Sequence, residues 1–270
     1  MNRAPTNPER ATFTRDDTGV GGTAPHPVMS DYYGDAAQRQ QWVDAMFDAT
    51  AEHYDWITDF MSLGSGRWYR RWALQRHGLR AGMHLLDAGA GTGVIAKAAQ
   101  GMVGETGSVV ALDPSRGMLD AAERRGVQRT VQATADDLPF PEQSFDMLTM
   151  GYALRHVGDL RSTFDEYFRV LGPSGRVLIL EITPPRTRLG YRLLRLYLRD
   201  LVPRVAGWFR RSQDSQTLMQ YYWDTVDHCV PPDTIVQAME AAGFREVRRH
   251  VVMGIFSEYT GVRPETAEAG

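Results

Sequence analysis

Leu85-Leu86-Asp87-Ala88-Gly89-Ala90-Gly91-Thr92-Gly93-Val94-Ile95 is the stretch whose reading decides the fold of this chain. Met83 to Leu86 is apolar and reads as a buried strand. An acid follows, then glycines at alternate positions, and Val94-Ile95-Ala96-Lys97-Ala98-Ala99 reads as the start of a helix. Strand, glycine turn and helix make the first βα unit of a nucleotide-binding sheet. Glycine suits such a turn because a Cβ blocks close approach of backbone to a ligand, and because left-handed backbone is open to it. Asp87 stands where a carboxylate can meet an ammonium group or a water at the strand end. On these residues alone a loose dinucleotide fingerprint, Gly91-Thr92-Gly93-Val94-Ile95-Ala96, and a tight turn without a ligand both stay open.

Outward from the turn, strands and helices alternate. Ser108 to Leu112 reads as a second buried strand ending at Asp113, with Met118 to Arg125 as its helix. Thr130 to Ala135 is a third strand, ending at Asp136-Asp137, and Ser144 to Met150 a fourth, entering Gly151-Tyr152. Leu160 to Leu171 is helical, Gly172-Pro173-Ser174-Gly175 a turn and Arg176 to Thr183 a fifth strand. A helix opens at Pro231-Pro232-Asp233 and stops at Gly243. Arg245 to Val252 and Gly254 to Thr260 are the last strands, and their short connection predicts an antiparallel hairpin. On the N-terminal side Trp42, Val43, Met46 and Phe47 fall at helical spacing, and Gly66 to Gln75 reads as another helix. The expected fold is α/β: a doubly wound, Rossmann-like sheet of seven strands, parallel but for the terminal hairpin, with a helical N-terminal lobe and a helical insertion before the last strands. Residues 31–263 form one domain in this reading, with 31–80 as a helical lid and 184–230 as a substrate-side insertion. Residues 1–30 read as a disordered tail and 264–270 as a frayed one.

Composition narrows the class. A chain of 270 residues that is 43% hydrophobic and 23% charged buries one good core. A net charge of −3 supplies no field for nucleic acid. Cys229 is the single cysteine, so an internal disulfide is excluded, and no second Cys/His pair stands at ligand spacing to hold a metal. No signal peptide and no apolar run long enough to span a membrane is found, which predicts a cytoplasmic location.

Two acids beyond the turn carry the first chemistry. Asp113, at the end of the second strand, can accept both hydroxyls of an adenosine ribose, against the alternative of a turn-forming Asp before Pro114. Met118 can pack on an adenine face or belong to the core. Asp136 with Ala135 can supply a carboxylate and a backbone N–H to an adenine edge, or act as a helix cap.

Read as Asp87-x-Gly89-x-Gly91-x-Gly93, the turn resembles the first motif of class I S-adenosyl-L-methionine (SAM) methyltransferases. Asp113, the Asp136-Asp137-Leu138-Pro139-Phe140 segment and Arg169-Val170-Leu171-Gly172-Pro173-Ser174-Gly175-Arg176 complete that series. Gly151-Tyr152-Ala153-Leu154-Arg155-His156-Val157 is similar to the segment after strand four in the UbiE-type family, the C-methyltransferases of ubiquinone and menaquinone biosynthesis. So are Met46-Phe47-Asp48, Tyr54-Asp55 and Met61-Ser62-Leu63-Gly64, then Glu181 with Pro184, and Tyr221-Tyr222-Trp223-Asp224-Thr225-Val226 before Pro231-Pro232. The resemblance spans roughly residues 40 to 260. It implies SAM as cofactor, with S-adenosyl-L-homocysteine as product. It implies SAM contacts at Thr92, Asp113, Thr134 with Ala135, and Gly151, beside the glycine turn itself. The chain departs from the family where Thr134 replaces Asn or Asp, where Gly151 replaces Ser, and where His156 replaces Asn after Leu154-Arg155.

The acceptor that this resemblance implies is a lipophilic quinol or phenol methylated on carbon. O- or N-methylation of a specialised metabolite or a phospholipid headgroup is the second reading, and a non-catalytic SAM-binding scaffold the third. A nicotinamide oxidoreductase is disfavoured by the terminal hairpin and the Asp87 spacing. Loss of a phenolic proton drives electron density onto the ortho carbon. Arg155 can stabilise the phenolate or position a water, and His156 can take the proton because imidazole titrates near neutrality. The alternatives are a structural pair for Arg155 and a turn cap for His156. Tyr152, Tyr54 and Tyr221 are candidate pocket residues. Pro184 to Arg211 carries eight arginines and one acid, Asp200, interleaved with leucines. That is a basic amphipathic helix fitted to peripheral membrane contact through 186–211, to covering the substrate or to a homodimer face.

Overall fold

The computed structural model describes residues 23–61, 66–202 and 213–265, excepting the side chains of 36–37, 52–61 and 213–216. Two helices lead: α1 (Ala36–Met61) and α2 (Gly66–Arg76). Then come β1 (His84–Ala88), α3 (Val94–Val103), β2 (Ser108–Asp113), α4 (Arg116–Arg124), β3 (Thr130–Gln132) and β4 (Phe145–Gly151). A single 3-10 turn at Leu154–His156 leads to α5 (Leu160–Val170) and β5 (Leu171–Ile182). α6 (Arg188–Arg195) continues as a π-helical stretch, Leu196–Leu201. After it come α7 (Gln213–Asp227), α8 (Pro232–Ala241), β6 (Arg245–Val252) and β7 (Phe256–Val262). The strands form one sheet in the order β3-β2-β1-β4-β5-β7-β6. β7 runs antiparallel to both β5 and β6, and every other pairing is parallel.

Both faces of the central strands are covered, so successive side chains feed different cores. Leu86, Leu112, Leu148 and Ile179 pack with Phe164 and Tyr167 of α5 and Met239 of α8. Leu85, Val109, Met147 and Leu178 pack with Leu74 of α2 and Ile95 and Ala99 of α3. A third cluster joins Tyr33, Val43 and Met46 to Val202 and to Leu218, Tyr221 and Tyr222 of α7. α1 and the insertion therefore share one core. Among the described residues no helix is long and apolar enough to cross a membrane.

Three expectations need correction. Residues 172–175 do not end one element and start another. Phe145 pairs with Leu171 and Met147 with Arg176, so Gly172-Pro173-Ser174-Gly175 is extruded as a bulge within β5, with Ser174 at φ 60. β3 stops at Gln132, leaving 133–135 irregular. Residues 23–30, assigned to a disordered tail, are held: Leu160 N–H donates to Thr23 O at 2.9 Å, Val230 N–H donates to Pro25 O at 2.8 Å, and His26 is buried. The remainder of that tail (1–22), residues 203–212 of the basic segment, and 266–270 lie outside the described residues.

The glycine turn does two jobs. All three glycines have positive φ: 63 at Gly89, 53 at Gly91 and 76 at Gly93. A Cβ on Gly93 would lie 2.7 Å from Val127 Cγ2 and 2.9 Å from Ala122 Cβ, and one on Gly89 would lie 2.7 Å from Ala153 Cβ. Those two glycines let α4 and the 153 turn pack close. A Cβ on Gly91 meets nothing within 4 Å. Gly93→Ala should therefore cost about 2 kcal/mol or more in urea unfolding, from left-handed backbone plus overpacking. Gly91→Ala should cost only the backbone part, about 1–2 kcal/mol. Equal losses for the two variants would refute this division of labour.

Candidate functional site

The C-terminal ends of β1, β2 and β4 open into a cavity roofed by α1 and α2. Ligands in doubly wound sheets bind at such strand ends. Asp87 lies at its floor, 1% exposed. Its Oδ1 accepts from the Thr149 hydroxyl at 2.8 Å and its Oδ2 from Ala96 N–H at 3.0 Å. Both oxygens are thus engaged by the protein, and the carboxylate caps α3 from beneath the turn. Burial pushes its pKa up to about 7, against those hydrogen bonds.

Asp113 closes the turn from β2. Its Oδ2 accepts from Gly91 N–H at 2.8 Å and its Oδ1 from Ser115 N–H at 3.0 Å. Burial raises its pKa to about 6. Each oxygen keeps a second lone pair, so the pair of ribose hydroxyls expected from sequence has acceptors to meet. The open space over Gly91 lies in the same cavity, where a Cβ would intrude. Met118, Thr134, Ala135 and Asp136 line the next wall; Met118 is buried and Asp136 is exposed at the rim. Thr92 also lines the cavity, although Arg125 bonds its carbonyl at 2.7 Å and its hydroxyl at 3.3 Å. A Cβ on Gly151 would collide with Ile95 Cδ1, so glycine here is matched to an isoleucine on α3.

The other end of the cavity is aromatic. Tyr152 holds φ 62, an outlier for an aromatic residue, fastened by its N–H to Leu180 O at 2.7 Å. His156 reaches the cavity between Phe47, edge-on at 5.3 Å, and Tyr221, stacked at 5.5 Å. Burial, then the nearby Arg155, holds its pKa well below the ordinary histidine value, so the ring is neutral. Tyr221 stands behind it, with Oη 3.3 Å from Nδ1. Tyr54 belongs to α1 in the stretch whose side chains are outside the description.

Arg155 is a correction. It does not line the cavity. Its guanidinium is fully buried behind the wall, ion-paired to Glu181 at 2.5 Å, bonded through Nε to Thr225 Oγ1 at 3.2 Å and stacked over Tyr222 at 4.5 Å. Glu181 also accepts Leu154 N–H at 3.0 Å. Beside it, Arg39 of α1 donates to the carbonyls of Arg155 at 3.2 Å and Val157 at 2.5 Å. These bonds hold the 153–158 turn that carries His156.

Sequence reasoning missed two side chains with a place here. Asp48 of α1 accepts the Ser115 hydroxyl and Gly117 N–H (3.0 Å), tying the roof to the start of α4. Its only sequence signal was its place in Met46-Phe47-Asp48. Arg70 of α2 points into the cavity; nothing in the periodicity of α2 separates it from Arg67 or Arg71.

The model of the ubiE/COQ5 methyltransferase family matches residues 35–263. The ubiquinone/menaquinone biosynthesis C-methyltransferase UbiE of Shewanella pealeana is 30% identical over 237 residues, covering 85% of this chain and 93% of that protein. The demethylmenaquinone methyltransferase of Symbiobacterium thermophilum is 33% identical, covering 80% and 90%. Among solved structures, a SAM-dependent methyltransferase from Aquifex aeolicus superposes with TM-score 0.52 at 18% identity, covering 72% of this chain and 89% of the other. Phosphoethanolamine N-methyltransferase 2 from Haemonchus contortus, solved with SAM, superposes with TM-score 0.56 at 19% identity, covering 88% and 61%. At these identities the two structures speak for the fold.

The buried pair yields a stability prediction. Arg155→Ala leaves the Glu181 carboxylate buried and unpaired and should cost about 3–5 kcal/mol. Arg155→Met with Glu181→Gln should recover much of it in urea unfolding. A stable Arg155→Ala protein that has lost turnover alone would mean that the guanidinium acts on the substrate instead.

Proposed function

The chain belongs to the ubiE/COQ5 methyltransferase family and is a SAM-dependent methyltransferase, and we propose that it methylates a ring carbon of a lipophilic quinol or phenol. The observation that carries this reading is the two-ended cavity: acids and an open glycine at one end, a neutral histidine among apolar and aromatic walls at the other. The polar end fits the adenosine of SAM, with Asp113 accepting the ribose hydroxyls and Thr134, Ala135 and Asp136 at the base. Asp87 shapes the turn, and Gly91 gives room for the ligand. Thr92, Met118 and Gly151 complete that wall.

When bound, SAM supplies an electrophilic methyl group on a sulfonium. The protein's share is placement, which contributes about 7–11 kcal/mol when reacting atoms are held near contact. Val43, Phe47, Tyr152 and Val157 exclude water from a planar ring. Neutral His156 can accept the hydroxyl proton of the acceptor, raising electron density on the ortho carbon. With the methyl of SAM transferred to that carbon, the proton lost from the ring carbon would restore the acceptor's hydroxyl, and His156 would release the proton it took to solvent. Arg155 and Tyr221 act as positioning residues for His156. Family membership and relatives named as C-methyltransferases support C-methylation over the O- and N-methylation alternatives and over a non-catalytic scaffold.

The insertion supports a cytoplasmic enzyme that works at a membrane face. No residue of α6 is buried. Leu189, Leu193 and Leu196 are 68%, 57% and 55% exposed along one stripe, and Arg188, Arg192, Arg195 and Arg199 form the row beside it. Leucines beside arginines match an anionic bilayer surface, where each arginine contributes about 1 kcal/mol.

Incubation with methyl-labelled SAM and extracted quinols should give a labelled product whose fragmentation places the methyl on a ring carbon. Label on oxygen or nitrogen would select the alternatives, and binding without any turnover the scaffold. Asp113→Ala should weaken SAM at least about 100-fold, since charge-assisted hydrogen bonds contribute about 1.5–3 kcal/mol each. The carboxyl of the free protein ionises at about 6, and the ligand favours its ionised form. Affinity should therefore hold above that pH and fall as pH drops through it; a flat profile, or unchanged affinity in the variant, would remove Asp113 from the ribose site. Arg192→Glu with Arg195→Glu should cut co-sedimentation with phosphatidylglycerol vesicles more than about 10-fold, leaving the weak binding to phosphatidylcholine alone. Unchanged vesicle binding, with Leu193→Asp splitting a dimer, would make the same face a subunit interface.

A further inference from the structure

Charge is unevenly spread in this cavity. Four carboxylates line it, from Asp44, Asp87, Asp113 and Asp136, and the one permanently charged cation among the described lining residues is Arg70. Its guanidinium carbon lies 4.8 Å from the centre of the Tyr152 ring, and among the described residues it has no ion-pair or hydrogen-bond partner. Its charge reaches both neighbours: burial raises the pKa of Asp87 and of Tyr152, and Arg70 draws each back down. A half-buried guanidinium over the Tyr152 ring at the end of β4, in the cavity that the glycine turn also lines, is built for a planar anion.

The rest of α2 sets its aim. Tyr69, the preceding residue, donates to Glu258 Oε1 at 2.7 Å; His77 Nε2 meets Glu258 Oε2 at 2.7 Å, and Arg76 pairs with the same carboxylate. Glu258 is fully buried on β7. The helix is thus keyed in rotation to the sheet, so that Arg70 faces the cavity while Arg71 and the stacked pair Trp68 and Trp72 face outward.

We propose that Arg70 binds the α-carboxylate of the amino-acid group of SAM and makes the site select ligands that carry it. The inference rests on SAM being the cofactor. SAM brings two positive centres, sulfonium and ammonium, which the acids of the cavity favour, and one anionic group, for which Arg70 is the cationic partner. With the ribose at Asp113, at the end of β2, the amino-acid end has the neighbouring β1 and β4 ends to occupy, and Arg70 lines the cavity there over the Tyr152 ring. Glu258 is then a positioning residue for that contact.

The test compares SAM with decarboxylated SAM, which differs only by the carboxylate, in titration calorimetry. The wild-type protein should prefer SAM about 10–100-fold, the range of one charged, bidentate contact. Arg70→Gln should shrink that ratio to within about threefold by weakening SAM, while decarboxylated SAM binds as well or better. Arg70→Lys should restore part of the ratio, and Arg71→Gln should leave it at the wild-type value. An unchanged ratio in Arg70→Gln, or equal loss of both ligands in folded Arg70→Gln and Arg70→Lys, overturns the proposal. A wild-type protein that binds neither ligand overturns the cofactor reading, and this inference with it.

Discussion

One buried carboxylate holds the site together. Asp87 joins β1 to β4 through the Thr149 hydroxyl and to α3 through Ala96 N–H, all beneath the glycine turn. A carboxylate 1% exposed resists ionisation, and its pKa near 7 records that burial. The two donors are what make the position tolerable, because an unsatisfied buried acceptor costs about 1–3 kcal/mol. The turn above it can therefore not relax independently of the strands. Asp113 repeats the arrangement one strand over, accepting Gly91 N–H, so the loop is held from both sides.

The roof is fastened by the same kind of bond. Asp48 ties α1 to the start of α4, Arg39 ties α1 to the carbonyls of the 153–158 turn, and Glu258 ties α2 to β7. Each is a charged group bonded to an element distant in sequence. Apolar packing between Tyr33, Val43, Met46 and α7 adds cohesion, but it does not by itself set rotation. The charged contacts do, and they decide which face of each helix meets the cavity.

Much of the fold was legible in the chain. Apolar runs ending in Asp87 and Asp113, glycines after the first, and the short hairpin connection all carry local physical meaning, and the structure has the strands there. The misjudged places were those where distant partners overrode local signals. Gly172 to Gly175 reads as a turn, yet Ser174 N–H and Gly175 O bond to Arg263, which keeps the bulge inside β5. Residues 23–30 lack periodicity, yet Thr23 and Pro25 accept hydrogen bonds from α5 and from the start of α8's loop.

By itself the sequence determined the strand–turn–helix at Asp87 to Ile95, the order of the elements and the acids at their ends, because backbone preference and apolar periodicity act over a few residues. It also carried the motifs that mark the family. Only the tertiary structure decided that Arg155 serves Glu181 behind the wall, that His156 is neutral, that Gly91 alone of the three turn glycines faces open space, and that Arg70 rather than Arg67 or Arg71 enters the cavity. Those outcomes depend on burial and on partners supplied from dozens of residues away, and no local pattern encodes them.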